Sequence, residues 1–225
     1  MVAISCARAY LADSTTADHE ESNLRLVMPD APPPHFAGGS AWPFVDVEPG
    51  AWYYNAARYV YDRGLMKGAS ATCFAPATSL SRALLVMALY RLEGEPAVTG
   101  SDTFIDVAVD APYYAPVTWA VNNGIITGYD ERTFGPRNSV TRQQLAVILH
   151  RYARLKGYDV RGDGEVDLRS FADASSVSPY ASTAIRWAFG TGIMRGNAGK
   201  LNPLAHATRA QAAAMLLRLT EKVAA

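Results

Sequence analysis

The chain has 225 residues, 49% of them hydrophobic and 19% charged, with 21 basic and 21 acidic side chains. That length and apolar content support a folded core and exclude a disordered chain. The charge balance excludes a bulk electrostatic grip on nucleic acid, and no stretch approaches the roughly 20 apolar residues needed to span a bilayer.

Residues 1–43 read as a poorly ordered tail and linker. Met1 to Leu11 carries only Arg8 as a side-chain cation and no clean apolar core, so it is a poor secretion signal. Leu24 to Met28 is a candidate stray strand. Pro29-Asp-Ala-Pro-Pro-Pro34 followed by Gly38-Gly39-Ser40 is a linker, stiff first and flexible later. Cys6 and Cys73 lack metal-ligand spacing and are read as two unrelated thiols that could pair.

From residue 44 onward a single unit recurs three times. The copies open at Phe44-Val45-Asp46, Phe104-Ile105-Asp106 and Phe171-Ala172-Asp173, with starts 60 and 67 residues apart. Each continues into a helix-like stretch and a glycine pair: Gly64 and Gly68, Gly124 and Gly128, Gly192 and Gly196. An apolar residue follows 30 positions after the opening Phe (Phe74, Phe134, Leu201), a proline at 32 (Pro76, Pro136, Pro203) and an arginine at 38 (Arg82, Arg142, Arg209). The third copy gains a residue before its first helix and loses one after Gly196, both in turns. The units are therefore placed at 44–100, 101–160 and 161–225, forming one cooperative domain over 44–220.

Within each unit the periodicity predicts two helices joined by a glycine-rich loop. In the second copy Tyr114, Val117, Ala120 and Val121 share one face and Asn123-Gly124 stops the helix. A second helix then begins near Thr141, with Leu145, Ile148, Leu149 and Tyr152 inward. The matching faces are Leu84, Leu85, Ala88, Leu89 and Leu92 in the first copy, and Ala212, Met215, Leu216 and Leu219 in the third. A lone helix pair cannot bury such a stripe, so the three second helices are expected to pack against one another.

The start of the second helix carries the candidate chemistry. Thr141 with Gln144, and Thr208 with Gln211, have the spacing of a capping box, whereas Ser81 with Leu84 makes half of one. An arginine in the first turn opposes the helix dipole, so its threefold recurrence calls for a reason. Unpaired first-turn N–H groups and a forked cation would bind a carboxylate or phosphate. Alternatively, each arginine pairs with Asp46, Asp106 or Asp173 and fastens one repeat to another. Those aspartates are open to a second reading as caps of the first helices.

Phe-x-Asp, a helix, Gly-Ile-Ile-x-Gly, Phe-x-Pro and Val-Thr-Arg-Gln-Gln closely resemble the S-layer homology repeat. The resemblance runs from residue 44 to about 220 and is best over Phe104 to Leu149. It implies a mostly all-α fold: a pseudo-threefold array with a central three-helix bundle, three loop-helix prongs, and grooves between neighbouring repeats. It also implies non-covalent anchoring at the bacterial cell surface. The partner would be an acidic secondary cell-wall polysaccharide carrying a pyruvylated amino sugar, or another peptidoglycan-linked polymer, with an upstream fused domain as possible cargo.

The ligand-binding set implied is Arg82, Arg142, Arg209, Asp46, Asp106, Asp173, Trp52, Tyr113, Thr141, Thr208, Gly68, Gly128 and Gly196. The family's usual Thr-Arg-Ala-Glu is Ser81-Arg82-Ala83-Leu84, Thr141-Arg142-Gln143-Gln144 and Thr208-Arg209-Ala210-Gln211 here. The acidic fourth residue is absent from all three, and Leu84 makes the first groove unequal to the others. Tyr53, Tyr54 and Tyr114 cluster with Trp52 and Tyr113 after the Phe-x-Asp motifs, while Trp119 and Trp187 are assigned to the core. A degenerate array acting as a protein-interaction or spacer module is the alternative reading.

No cofactor and no catalytic set are expected. His19, His35, His150 and His206 share no repeat position, and no nucleophile–base spacing occurs. Asp163, Glu165 and Asp167 alternate but lack the glycine and closing glutamate of a calcium loop.

Overall fold

A computed structural model describes residues 42–100, 104–161 and 166–222. Residues 1–41 of the tail and linker, with the candidate strand at Leu24 to Met28, Cys6, His19 and His35, lie outside the described residues, as do Asp163 and Glu165. Cys73 is disulfide-bonded and not a lone thiol.

Among the described residues six α-helices are arranged two per repeat. The first repeat holds α1 (Tyr54–Asp62) and α2 (Arg82–Leu92), and the second α3 (Tyr114–Asn122) and α4 (Arg142–Leu155). The third holds α5 (Ser182–Gly190) and α6 (Arg209–Lys222), preceded by 3-10 turns at Leu168–Ser170, Ala174–Ser176 and Pro179–Ala181. Among the described residues there is no strand, only isolated β-bridges. The residue gained in the third copy falls in the turn Pro179–Ala181, which delays the start of α5. The residue lost shortens a loop hairpin: Ala69 N reaches Cys73 O and Tyr129 N reaches Thr133 O, but Asn197 N reaches Lys200 O.

The first helices stop at Gly64, Gly124 and Gly192, whose φ values of 67°, 66° and 71° are those a glycine adopts without steric cost. The second helices carry the predicted apolar faces. Leu85, Ala88 and Leu89, then Leu145, Ile148, Leu149 and Tyr152, then Ala212, Met215, Leu216 and Leu219 are all buried in one continuous core. Leu84 and Leu92 are only half-buried.

The closest helix packing is not between the three second helices, as the periodicity suggested. Each second helix lies nearest the first helix of the next repeat: α2 on α3, α4 on α5, and α6 back on α1. The repeats are thus linked in a closed ring.

A cycle of backbone hydrogen bonds ties the N-terminal ends of the second helices together at the centre of that ring. Leu80 N donates to Ala207 O (2.9 Å), Ala207 N to Val140 O (2.8 Å), and Val140 N to Leu80 O (2.9 Å). At the opposite end, α2, α4 and α6 surround a hollow of about 410 Å³. There Glu93 accepts from Tyr152 Oη (2.9 Å) and Lys156 Nζ (2.6 Å). The three helices therefore form the central bundle of a pseudo-threefold fold, reached through inter-repeat helix pairs. No described helix is long and apolar enough to cross a membrane.

Candidate functional site

The Phe-x-Asp motif organises the loop of its own repeat. The ring of Phe44 lies against Gly68, that of Phe104 against Gly128, and that of Phe171 against Gly196, where a methyl group would collide with it. These three glycines thus serve as packing seats for the opening aromatics. The aspartates then grip the loop ahead of the second helix. Asp46 accepts from Phe74 N (2.8 Å) and Ala75 N (2.7 Å), and Asp106 from Phe134 N (2.8 Å) and Gly135 N (2.7 Å). Asp173 accepts from Leu201 N and Asn202 N, both at 2.7 Å. Burial alone would raise the pKa of Asp173, but those two N–H donors, its own N–H and the charge of Lys200 together hold the carboxyl below its ordinary value. None of the three caps a first helix: the cap positions of α1, α3 and α5 are Tyr53, Tyr113 and Ala181, without side-chain bonds.

Each arginine comes from the preceding repeat and takes the other side of the same loop. Arg82 Nε donates to Phe134 O (2.9 Å) and its Nη2 to Thr127 O (2.5 Å). Arg142 Nε donates to Leu201 O and its Nη2 to Arg195 O, both at 2.9 Å. Arg209 completes the circle through Phe74 O (2.8 Å) and Lys67 O (2.6 Å). The aspartate holds the N–H of residue 74, 134 or 201, and the arginine holds its carbonyl. The arginine thus fastens one repeat to the next, but through peptide carbonyls and not the expected carboxylate pair.

The guanidinium groups are buried, at 5%, 7% and 2% exposure for Arg82, Arg142 and Arg209. Burial lowers the pKa of Arg82 and Arg142, opposed by the charge of Asp106 and Asp173 respectively. Among the described residues, Nη1 of Arg82 and of Arg142 makes no hydrogen bond.

The helix starts are not open to an anion. The N–H groups of Arg82 and Ala83 bond to Asn138 O and Pro136 O, and those of Arg142 and Gln143 to Ala205 O and Pro203 O. Those of Arg209 and Ala210 bond to Thr78 O and Pro76 O. The next N–H in each helix goes to the cap: Leu84 N to Ser81 Oγ, Gln144 N to Thr141 Oγ1, Gln211 N to Thr208 Oγ1. The boxes at Thr141 and Thr208 close as expected, with Gln144 and Gln211 accepting from the cap N–H. Neighbouring repeats therefore satisfy the donors that the sequence left for a ligand.

The aromatics divide as the sequence reading divided them. Trp119 and Trp187 are core residues, 5% and 1% exposed. Trp52 is 65% exposed, edge-on to Tyr53 at 5.2 Å between centroids, and Tyr113 is half-buried at the start of α3. Three contacts went unforeseen. Tyr129 covers Arg82, with the guanidinium carbon 4.7 Å from its ring. Gln143 bonds to Ser178 N (3.0 Å), Ser178 Oγ (3.0 Å) and Tyr180 Oη (3.1 Å). Trp42 docks on the first prong beneath Arg58, 5.4 Å from its ring. Comparison of repeat positions gave a signal for the first two: Tyr129 stands where the other copies have Ala69 and Asn197, and Gln143 where they have Ala83 and Ala210.

The S-layer homology domain family matches residues 43–83, 104–146 and 170–213. An endoglucanase of Bacillus sp. (strain KSM-635) is 31% identical over 82% of this chain and 19% of its own length. A surface-layer 125 kDa protein of Lysinibacillus sphaericus is 35% identical over 75% of this chain and 14% of its own. An amylopullulanase of Thermoanaerobacterium thermosulfurigenes is 29% identical over 76% and 9%. The chain thus spans a fifth or less of these relatives. With the family matched at all three repeats, the chain belongs to the S-layer homology family, whose repeats anchor proteins at the cell wall.

Proposed function

We propose that this array anchors a surface protein non-covalently by binding an acidic wall polysaccharide, ending in a pyruvylated amino sugar, at the junctions between repeats. The observation that carries the reading is the diversity of its relatives. A surface-layer protein, an endoglucanase and an amylopullulanase share this array over only 9–19% of their lengths. A module common to such different proteins serves location and not a reaction, so the chain is read as non-catalytic and any fused domain as cargo.

The buried arginines change how that binding works. Their Nε and Nη2 arms are committed to carbonyls, so the junction offers a preorganised rim and not a free cationic fork. The aromatic at the prong start is read as the sugar-facing surface beside that rim.

Sedimentation with polymer-bearing Bacillus walls tests the proposal. The chain is expected to co-sediment and to be released when the ketal pyruvate is removed. A folded chain that stays in the supernatant would leave the spacer or protein-interaction reading.

A further inference from the structure

We infer that the hollow at the C-terminal end of the bundle is a second binding site. Its ligand is a small zwitterion, an amino acid or short peptide with both a free ammonium and a free carboxylate. The hollow lies at the end of the bundle away from the arginine-held loops, so the site is independent of the wall-binding reading.

The hollow exists because the threefold pattern breaks there. In the second and third repeats the first helix packs an indole against the second helices. Trp119 lies 5.6 Å from Tyr90 and 6.5 Å from Tyr152 between ring centroids, and Trp187 lies 5.3 Å from His150. Tyr59 stands at the equivalent position of α1, and its smaller, half-buried ring meets α6 through its hydroxyl, 2.8 Å from Thr220 Oγ1. The second helices differ in parallel: Glu93, Ala153 and Thr220 hold the same position after Arg82, Arg142 and Arg209. One long side chain is set against two short ones, and about 410 Å³ stays open. Small-molecule sites usually hold ~300–1,000 Å³.

The lining is divided by charge. On the inner wall Glu93 accepts from Tyr152 Oη and Lys156 Nζ, so its charge is already answered. Burial, and after it Glu93, push the pKa of Tyr152 up, which keeps the phenol protonated in that bond. At the rim stand two exposed groups of opposite sign, Arg63 at the end of α1 and Glu221 on α6. Among the described residues neither forms an ion pair, although α1 and α6 pack together. Arg63 lies over the Tyr59 ring, its guanidinium carbon 4.9 Å from the centroid. Arg218, on the same helix as Glu221, is turned to Ile193 O at 3.2 Å.

The two rim charges thus border one opening without cancelling, and a molecule with a carboxylate at one end and an ammonium at the other bridges them. The carbonyl ends of α2, α4 and α6 all border the hollow, and their partial negative charge favours the ammonium. A phosphate would meet two carboxylates and three helix C-termini. A bare amine would leave Arg63 unanswered.

The full chain is titrated by calorimetry with alanyl-alanine, with its N-acetyl form and with its C-terminal amide. The free dipeptide is expected to bind once per chain, and each blocked form on the order of tenfold more weakly. Arg63→Gln should no longer distinguish the dipeptide from its amide, and Glu221→Gln should no longer distinguish it from the N-acetyl form. Tyr59→Trp, which installs the residue of the other two repeats, is expected to fill the hollow and abolish binding while the helical circular dichroism is kept.

Absence of saturable dipeptide binding would overturn the assignment, and so would blocked forms that bind as well as the free one. Folded Arg63→Gln and Glu221→Gln chains that keep the parent's preferences, or a folded Tyr59→Trp chain that binds like the parent, would place the ligand elsewhere. Wall sedimentation of Arg63→Gln and Glu221→Gln is expected to match the parent's. A parallel loss would merge the two sites and remove the second one.

Discussion

Arg209 Nε donates to the carbonyl of Phe74 at 2.8 Å, joining residues 135 positions apart and closing the third repeat onto the first. The same side chain reaches Lys67 O, and its guanidinium carbon lies 4.8 Å from the Phe74 ring. Two charge-assisted bonds of about 1.5–3 kcal/mol each are at stake, and their loss leaves two carbonyls without this donor.

Arg209→Ala is therefore expected to destabilise the array by about 3–5 kcal/mol, lowering the melting temperature on the order of 10 °C. Arg209→Lys should recover little, because a single ammonium cannot reproduce the fork that reaches both carbonyls. Circular dichroism melts of the three proteins make the comparison. A melting point within 2 °C of the parent for the alanine variant (roughly 1 kcal/mol or less for a chain this size) would show that the closing bond is dispensable.

The loop held by Asp46 and Arg209 contains a backbone feature that invites a stabilising change. Ala75, Gly135 and Asn202 occupy the same loop position with φ of 56°, 73° and 52°. The left-handed region costs an alanine roughly 1–2 kcal/mol, and glycine almost nothing. Ala75→Gly is expected to raise stability by about 0.5–1 kcal/mol, the relief of strain less the extra chain entropy of glycine. Gly135→Ala should do the reverse and more, since its new methyl would meet the Tyr129 ring and Asn138. Urea midpoints of the two variants should move in opposite directions, and movement in the same direction would refute the argument.

What the sequence disclosed follows from which interactions are local. Helix faces, the glycine stops and the Thr141–Gln144 and Thr208–Gln211 boxes depend on residues within a few positions of each other, and they stand in the structure except that Leu84, Leu92, Tyr114 and Val121 are only half-buried. The arginine site was misread because its partners are backbone carbonyls. Arg82 meets Phe134 O 52 residues away, and no residue type announces a carbonyl acceptor. The helix-start donors appeared vacant for the same reason: Pro136, Pro203 and Pro76 fill them with main-chain oxygen from the next repeat. The ring closure was hidden too, since tandem copies read equally well as a row. Gln143 and Tyr129 were legible only as departures from their counterparts.

One histidine makes the junction of repeats 2 and 3 sensitive to acid. His150 on α4 is edge-on to Trp187 of α5, with ring centroids 5.3 Å apart, and its Nε2 is buried without a partner. Burial lowers its pKa, a hydrogen bond with the Val160 backbone opposes this, and the charges of Arg154 and Arg151 lower it further. The neutral ring is thus the native form. Stability from this residue is complete above the unfolded value of roughly 6.5 and declines as pH falls through that value toward the lower folded pKa. The urea midpoint is expected to drop between pH 7.5 and 5.0, a range in which most carboxylates stay ionised. His150→Phe, which keeps the edge contact with Trp187, should flatten that part of the profile. An unchanged slope would place the pH response elsewhere.

The ring leaves no repeat able to stand alone, and this sets how the array unfolds. The core face of α2 is completed by α3, that of α4 by α5, and that of α6 by α1. The first-turn N–H groups of each second helix likewise bond to carbonyls of the next repeat. Removing any one repeat exposes two apolar faces and unpairs donors in a second unit, so no partly folded ring is cheap to form. An open solenoid would instead fray from its ends. Helical circular dichroism and tryptophan emission, which follows Trp119 and Trp187 at different junctions, are therefore expected to share one urea midpoint and one slope. Deleting residues 209–222 should abolish most of the helical signal and not a third of it, because α1 and the loop around Phe74 lose their partners together. Two separated transitions, or a truncated chain that keeps two stable repeats, would mean that the ring bonds do not couple the units.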